Sequence, residues 1–316
     1  MNEGAQMKRL CLLSMTMLIL WTSAGTLKAQ ELYITNEWQK QLQLLDLSSG
    51  QLTALYDIGA SPDDLVLNSL GQLLYSIPGL GVVDLYDPVA QTNSTLVTGV
   101  KSARDLVIEP SGNSMLIAVS GFSGEIVRFN FLTGATSVLR KKLVTVDGLA
   151  YDPNGDLFAV ADHNTIQQID PVTGATLNTL VLEPHHGVNG GDGMTYDPYT
   201  GELWASHDGT TGSGVLEIAT DLSSFTYYDF SEQMHAPDGI KSDGLGNLYI
   251  GAIHTVAVIN IQGTPVLTRS YVVHGADGVS LVPGTYQPCA EGCGPESRLG
   301  GKLPNSITHY VAPKRQ

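Results

Sequence analysis

Carboxylates and imidazoles carry the candidate chemistry of this 316-residue chain. Aspartate heads a phrase that returns six times: Asp64 in PDDLVLNSLGQLLYS, Asp105 in RDLVIEPSGNSMLIAV, Asp147 in DGLAYDPNGDLFAVAD, Asp192 in DGMTYDPYTGELWASHD, Asp238 in PDGIKSDGLGNLYIGA and Asp277 in DGVSLVP. Such a carboxylate can ligate a divalent cation, move a proton, or accept backbone N–H bonds at a turn. Repetition favours the last role for any single member, because chemical groups have to differ from repeat to repeat. The histidines break the symmetry, since His163, His185, His186, His207, His235, His254 and His274 all fall in the second half of the repeats. Imidazole is the side chain whose ordinary titration range suits proton transfer near neutral pH.

The leading aspartates are 41, 42, 45, 46 and 39 residues apart. Each unit reads as short apolar runs separated by Gly, Asn and Asp-Pro turns, which predicts an all-β, six-bladed propeller of four-stranded blades. In the fourth unit the strands are GLAYD, LFAVA, TIQQID and TLNTLVL, with PNG and PVTG as turns. Proline presets φ in such turns and glycine accepts positive φ. The N-terminal segment from Glu31 supplies three strands without an innermost one, and the terminal DGVSLVP supplies an innermost strand alone. Pairing the two closes the ring and removes two exposed sheet edges. The propeller is expected to span residues 30–284. Residues 285–316, rich in Gly and Pro, read as a loosely ordered tail.

With strands lettered a to d outward from the channel, d-to-a and b-to-c connections share one face of the disc. The six aspartates fall where the chain enters strand a, beside the channel. The seven histidines fall on the same face, in the sector from the fourth blade round to the first, and His207, His254 and His274 are expected to contact a ligand there. Two carboxylates about 8 Å apart repel by roughly 2 kcal/mol at an effective dielectric near 20. A ring of them calls for a cation. Oxygen ligation suits Ca²⁺ first and then Mg²⁺, and an added imidazole would shift the preference toward Zn²⁺ or Mn²⁺.

Residues 1–29 read as a secretory signal: Lys8 and Arg9, then the apolar LCLLSMTMLILW, then a small-residue tail ending near Ala29. The apolar run is shorter than the roughly 20 residues that span a bilayer. The mature chain is therefore expected to be secreted or periplasmic, a monomer without a membrane span. Loss of the leader moves the formal charge from −15 to −17, which argues against nucleic acid as a partner. Two cysteines remain, Cys289 and Cys293, and in an exported chain that spacing most often marks a disulfide. There is no Gly-x-Ser-x-Gly elbow and no phosphate-cradling Gly-Lys loop.

The stretch PDGIKSDGLGNLYIGA resembles the senescence marker protein, regucalcin and gluconolactonase family, six-bladed propellers with a divalent metal in the channel mouth. The resemblance implies that Asp238 is a metal ligand and the acid or base of lactone hydrolysis. By the same blade count, Asp192 takes the place of a metal-binding Asn, Asp64 (or Asp63) that of a metal-binding Glu, and Asp147 that of a substrate-contacting Asn. The family's Arg-x-Asn-Asp-Gly motif is represented only by VTVDG. The resulting expectation is a metal-dependent hydrolase of a lactone or ester, with Asp64, Asp192 and Asp238 holding the metal and Asp238 or His235 moving the proton. The alternative is a non-catalytic propeller that captures a glycan or protein on the histidine-bearing face, with a structural metal or none.

Overall fold

The structure, a computed structural model, describes residues 31–121, 123–162, 164–182, 191–209, 212–282 and 302–312. The expected leader, Cys289 and Cys293, and His163, His185 and His186 lie outside the described residues.

All regular elements among the described residues are strands, arranged in six antiparallel sheets that each run from the channel outward. Innermost strands a of blades two to six are Leu65–Leu67, Ala103–Ile108, Val146–Tyr151, Gly191–Asp197 and Pro237–Ser242. Blade one takes its strand a, Ala276–Leu281, from the far end of the chain. That strand pairs with Glu31–Asn36, Val279 opposite Ile34, and so closes the ring as expected. In blade four the strands are Val146–Tyr151, Leu157–Ala161, Thr165–Ile169 and Thr176–Val181, close to the sequence reading.

Strands b are apolar on both faces, as in LLYSI (Leu73–Ile77) and LFAVA (Leu157–Ala161), because neighbouring blades pack against each side. Outer strands such as Thr136–Leu143 carry exposed polar side chains. The apolar core is divided into six clusters, each drawn mainly from two consecutive blades. Phe158 and Val160 of blade four meet Met194 and Leu203 of blade five, and Ile34 and Val279 of blade one meet Tyr249 and Val256 of blade six. Each fully buried side chain of this size contributes about 1.5–3 kcal/mol.

Residues 302–312, expected as part of a loose tail, are ordered. Ser306–Val311 forms a fifth strand on blade five, pairing with Ser224–Asp229, and Tyr310 packs against Phe225 at 5.2 Å. Lys302 makes a two-way backbone pair with Leu267 of blade six, at 2.8 and 2.9 Å. One segment thus straps the outer edges of two blades. No repeat marks this strand in the sequence, and its apolar anchors on the blade are only Tyr310 and Ala312.

Candidate metal and acid–base centre at the channel mouth

Every strand a contains one buried apolar residue that packs between blades: Leu65, Leu106, Leu149, Met194, Ile240 and Val279. Aligned on these six, the residue two positions earlier is Asp63, Arg104, Asp147, Asp192, Asp238 or Asp277. A register shift at the start of strand a, such as that between Pro237 and Ile240, turns this residue out of the regular pleat toward the channel mouth. Asp64 and Asp105 stand one residue later, where the other four blades carry Gly148, Gly193, Gly239 and Gly278. The repeat alignment in blades two and three is therefore corrected by one residue, and the mouth is ringed by five aspartates and one arginine.

The glycine position is a contact between neighbouring inner strands. A Cβ on Gly148 would lie 2.2 Å from the Asp192 carbonyl oxygen, and one on Gly278 would lie 2.7 Å from the Asp64 Cα. Asp64 and Asp105 make the same junction with their side chains. Leu106 N–H donates to Asp64 Oδ2 at 3.2 Å, and Leu149 N–H donates to Asp105 Oδ2 at 2.5 Å. From blade six, opposite, Lys241 Nζ lies 3.5 Å from Asp64 Oδ2 and 3.6 Å from Asp105 Oδ1. Burial opposes charge on Lys241, but the two carboxylates outweigh it and its pKa is raised. These two aspartates thus knit the channel wall below the mouth.

Hydroxyls on strands b hold the ring backbone. Ser76 donates to the Arg104 carbonyl at 2.8 Å, while Thr35 and Ser206 donate to the carbonyls of Asp63 and Asp238. Arg104 Nη1 then meets Asp63 Oδ2 at 2.6 Å, with the Arg104 side chain 46% exposed at the mouth. On the other side, Asp63, Asp238 and Asp277 offer oxygens that all lie within 4.8 Å of one another.

Crowding raises the pKa values of this group. Burial, then the charge of Asp238, pushes Asp63 up to about 8 despite Arg104. Burial, then Asp192, brings Asp238 to about 7, and burial with Asp147, Asp208 and Asp63 brings Asp192 to about 7. Asp277 is held well above the ordinary range by burial, then by the charge of Asp238, and its Oδ1 is buried without a hydrogen-bond partner. Three hard oxygen ligands around one point, one of them orphaned, suit a Ca²⁺ or Mg²⁺ ion.

The expected site residues separate accordingly. Asp238 is in the cluster, Asp192 is its ring neighbour, Asp147 stands one blade beyond Asp192, and Asp64 faces Lys241. His235 is exposed in the connection leading to Pro237, and its side chain makes no hydrogen bond to a described residue. His207 is fully buried inside blade five, edge-on to Tyr227 at 4.9 Å. His254 and His274 are exposed and adjacent, with Nδ1 atoms 3.3 Å apart. Sequence reasoning passed over Arg104 and Lys241 and gave Asp277 no ligand role. Aligning PDDL and ARDL with PDGI on their apolar residues, Leu65 and Leu106 with Ile240, singles out Asp63 and Arg104.

No family model and no curated protein matches the chain. Solved structures do. A chain in a crystal structure of a nidogen/laminin complex superposes with a TM-score of 0.69 at 14% identity, covering 80% of this chain and 98% of that one. Regucalcin from Agrobacterium tumefaciens, described as a calcium-binding protein, gives 0.55 at 19% identity, with 71% and 79% covered. A catalytically inactive variant of virginiamycin B lyase from Staphylococcus aureus, solved with quinupristin, gives 0.58 at 14%, with 80% and 88% covered. The chain is a six-bladed β-propeller that shares its fold with regucalcin, and at these identities the likeness is one of fold.

Proposed function

We propose that the chain is an exported propeller that binds one divalent cation between Asp63, Asp238 and Asp277 and hydrolyses a lactone or related ester at the channel mouth. The observation that carries this reading is the three-carboxylate cluster with its orphaned Asp277 Oδ1, set beside the half-exposed Arg104 side chain. When bound, a cation there would offset the carboxylate repulsion and polarise an ester carbonyl. Arg104, fixed by Asp63, has N–H donors left to orient a carbonyl or ring oxygen of the substrate. Asp192, beside the three ligands, is raised to about 7 by burial and then by Asp147, which suits a group that takes a proton from water and returns it to the leaving alkoxide. The likeness to regucalcin supports the cation, and the lyase is a precedent for chemistry on a propeller of this fold.

The test is turnover of a panel of lactones and aryl esters by the mature protein, with Ca²⁺, with Mg²⁺ and after chelation. Activity restored by a cation and lost in Asp238→Asn supports the hydrolase. A cation-dependent rise in melting temperature with no turnover of any panel member points instead to a binding propeller. That second reading is favoured by the ring itself, which is acidic in five of six blades as a scaffold element would be.

A further inference from the structure

Where blade six meets blade one, three connections converge on the mouth face and bring Trp38, His254 and His274 together. The Trp38 and His274 rings are near parallel, 6° apart with centroids at 6.3 Å, and His254 stands edge-on to both at 5.4 Å. Cross-ties fix the three loops to one another. Glu37 N–H donates to the Gly275 carbonyl at 2.9 Å, Gly275 N–H to Ile253 at 2.7 Å, Val273 N–H to His254 at 3.2 Å, and Asn36 Nδ2 to the His274 carbonyl at 2.9 Å. Gly275 is needed at the centre, since its φ is +76° and a Cβ there would lie 2.6 Å from the Trp38 ring.

The two Nδ1 atoms are 3.3 Å apart. Two nitrogens bound to one tetrahedral ion at about 2.0–2.1 Å sit about 3.3–3.4 Å from each other. The square-planar arrangement favoured by Cu²⁺ would bring them to about 2.9 Å. We infer that His254 and His274 form a second, nitrogen-based metal site that chelates a tetrahedral transition-metal ion such as Zn²⁺ through both Nδ1 atoms. Both rings are exposed, so the two remaining positions open to water or to an anionic ligand at the mouth. This site is separate from the oxygen-lined cluster, which takes a harder ion, and it stands whether or not the protein is a hydrolase.

Titration of the mature protein with Zn²⁺ alone, and separately with Co²⁺, tests this through Trp38 fluorescence and the visible absorption of tetrahedral cobalt. A saturable response is expected that excess Ca²⁺ does not displace in the unaltered protein. It should survive Asp238→Asn and weaken by roughly 10–100-fold or more in His254→Ala and in His274→Ala. Circular dichroism confirms that each variant is folded, and the Ca²⁺ competition needs no variant at all. No saturable Zn²⁺ response would leave the pair a simple imidazole–imidazole hydrogen bond and overturn the proposal. A response displaced by Ca²⁺ or lost in Asp238→Asn would also overturn it, by assigning the zinc to the carboxylate cluster.

Discussion

Lys241 reaches across the channel to Asp105, its Nζ 3.6 Å from Oδ1, although the two residues stand in opposite blades. The same ammonium lies 3.5 Å from Asp64, so one cation serves two buried carboxylates that also accept from backbone N–H groups of the next blade, Asp64 through the same Oδ2 and Asp105 through Oδ2. Replacing Lys241 by Met should leave both carboxylates uncompensated. Breaking a buried ion pair on one side typically costs about 3–5 kcal/mol. Urea denaturation should show a loss of that order, and adding Asp105→Asn to Lys241→Met should recover part of it. A double variant no more stable than the single one would show that the charge is not what Lys241 supplies.

The pH dependence of the cation-free protein follows from the ring. An ordinary carboxylate titrates near 3.9 in an unfolded chain. Here Asp192 and Asp238 titrate at about 7 and Asp63 at about 8, each raised by burial and then by neighbouring carboxylates. Between those limits the folded state holds more protons than the unfolded one, so stability falls as pH rises. The contribution is complete below about pH 4 and gone above about pH 8. The turn aspartates Asp46, Asp87, Asp170 and Asp221 shift the opposite way, lowered by hydrogen bonds, and act below this window. Thermal melts of chelated protein should therefore decline from pH 5 to pH 8, and saturating Ca²⁺ should flatten the decline. A melting temperature that rises over that interval would contradict the assigned shifts.

Ring closure and the outer strap are separable by truncation. A chain ending after residue 301 keeps Ala276–Leu281 in blade one and loses, among the described residues, the fifth strand of blade five, the Gln233–Asn305 bond and the Lys302–Leu267 pair. It should remain folded, with its melting temperature lowered by a few degrees. A chain ending after residue 274 loses the innermost strand of blade one and exposes Ile34, Leu65 and Tyr249 at once. That chain should not give a cooperative transition. If the first truncation also unfolds, the strap is part of the minimal fold.

The architecture was legible because its signals are local and repeated. Asp-Pro and Thr-Gly turns, apolar runs and a period near 40 residues each recur often enough to check one another, and the missing strand at one end of the chain matched the spare strand at the other. The site was legible only in part. Asp238 stood out in PDGI, but in PDDL and ARDL the eye takes the aspartate next to the apolar residue, whereas the bulge aims the one before it at the mouth. Lys241 looks like a solvated strand residue, since its partners Asp64 and Asp105 are more than a hundred residues away in sequence. The burial of His207 depends on Tyr227 in the same blade, a contact that no spacing rule announces.

Substitution of the ring decides which carboxylates hold the cation. If Asp63, Asp238 and Asp277 are the ligands, saturating Ca²⁺ should raise the melting temperature of the unaltered protein. At a concentration about 100 times the dissociation constant the gain is about 2.7 kcal/mol, or roughly 4–5 °C for a chain of this size. Asp277→Asn keeps the side chain's volume and removes one ligand charge, so the Ca²⁺-induced shift should shrink by more than half while the cation-free protein becomes more stable at pH 8, having lost one source of repulsion. Asp64→Asn should leave the shift in place, because Asp64 faces Lys241 below the mouth. Isothermal titration with Ca²⁺ measures the same difference directly. The reverse pattern, in which Asp64→Asn abolishes binding and Asp277→Asn does not, would move the cation down the channel toward Lys241 and remove Asp277 from the site.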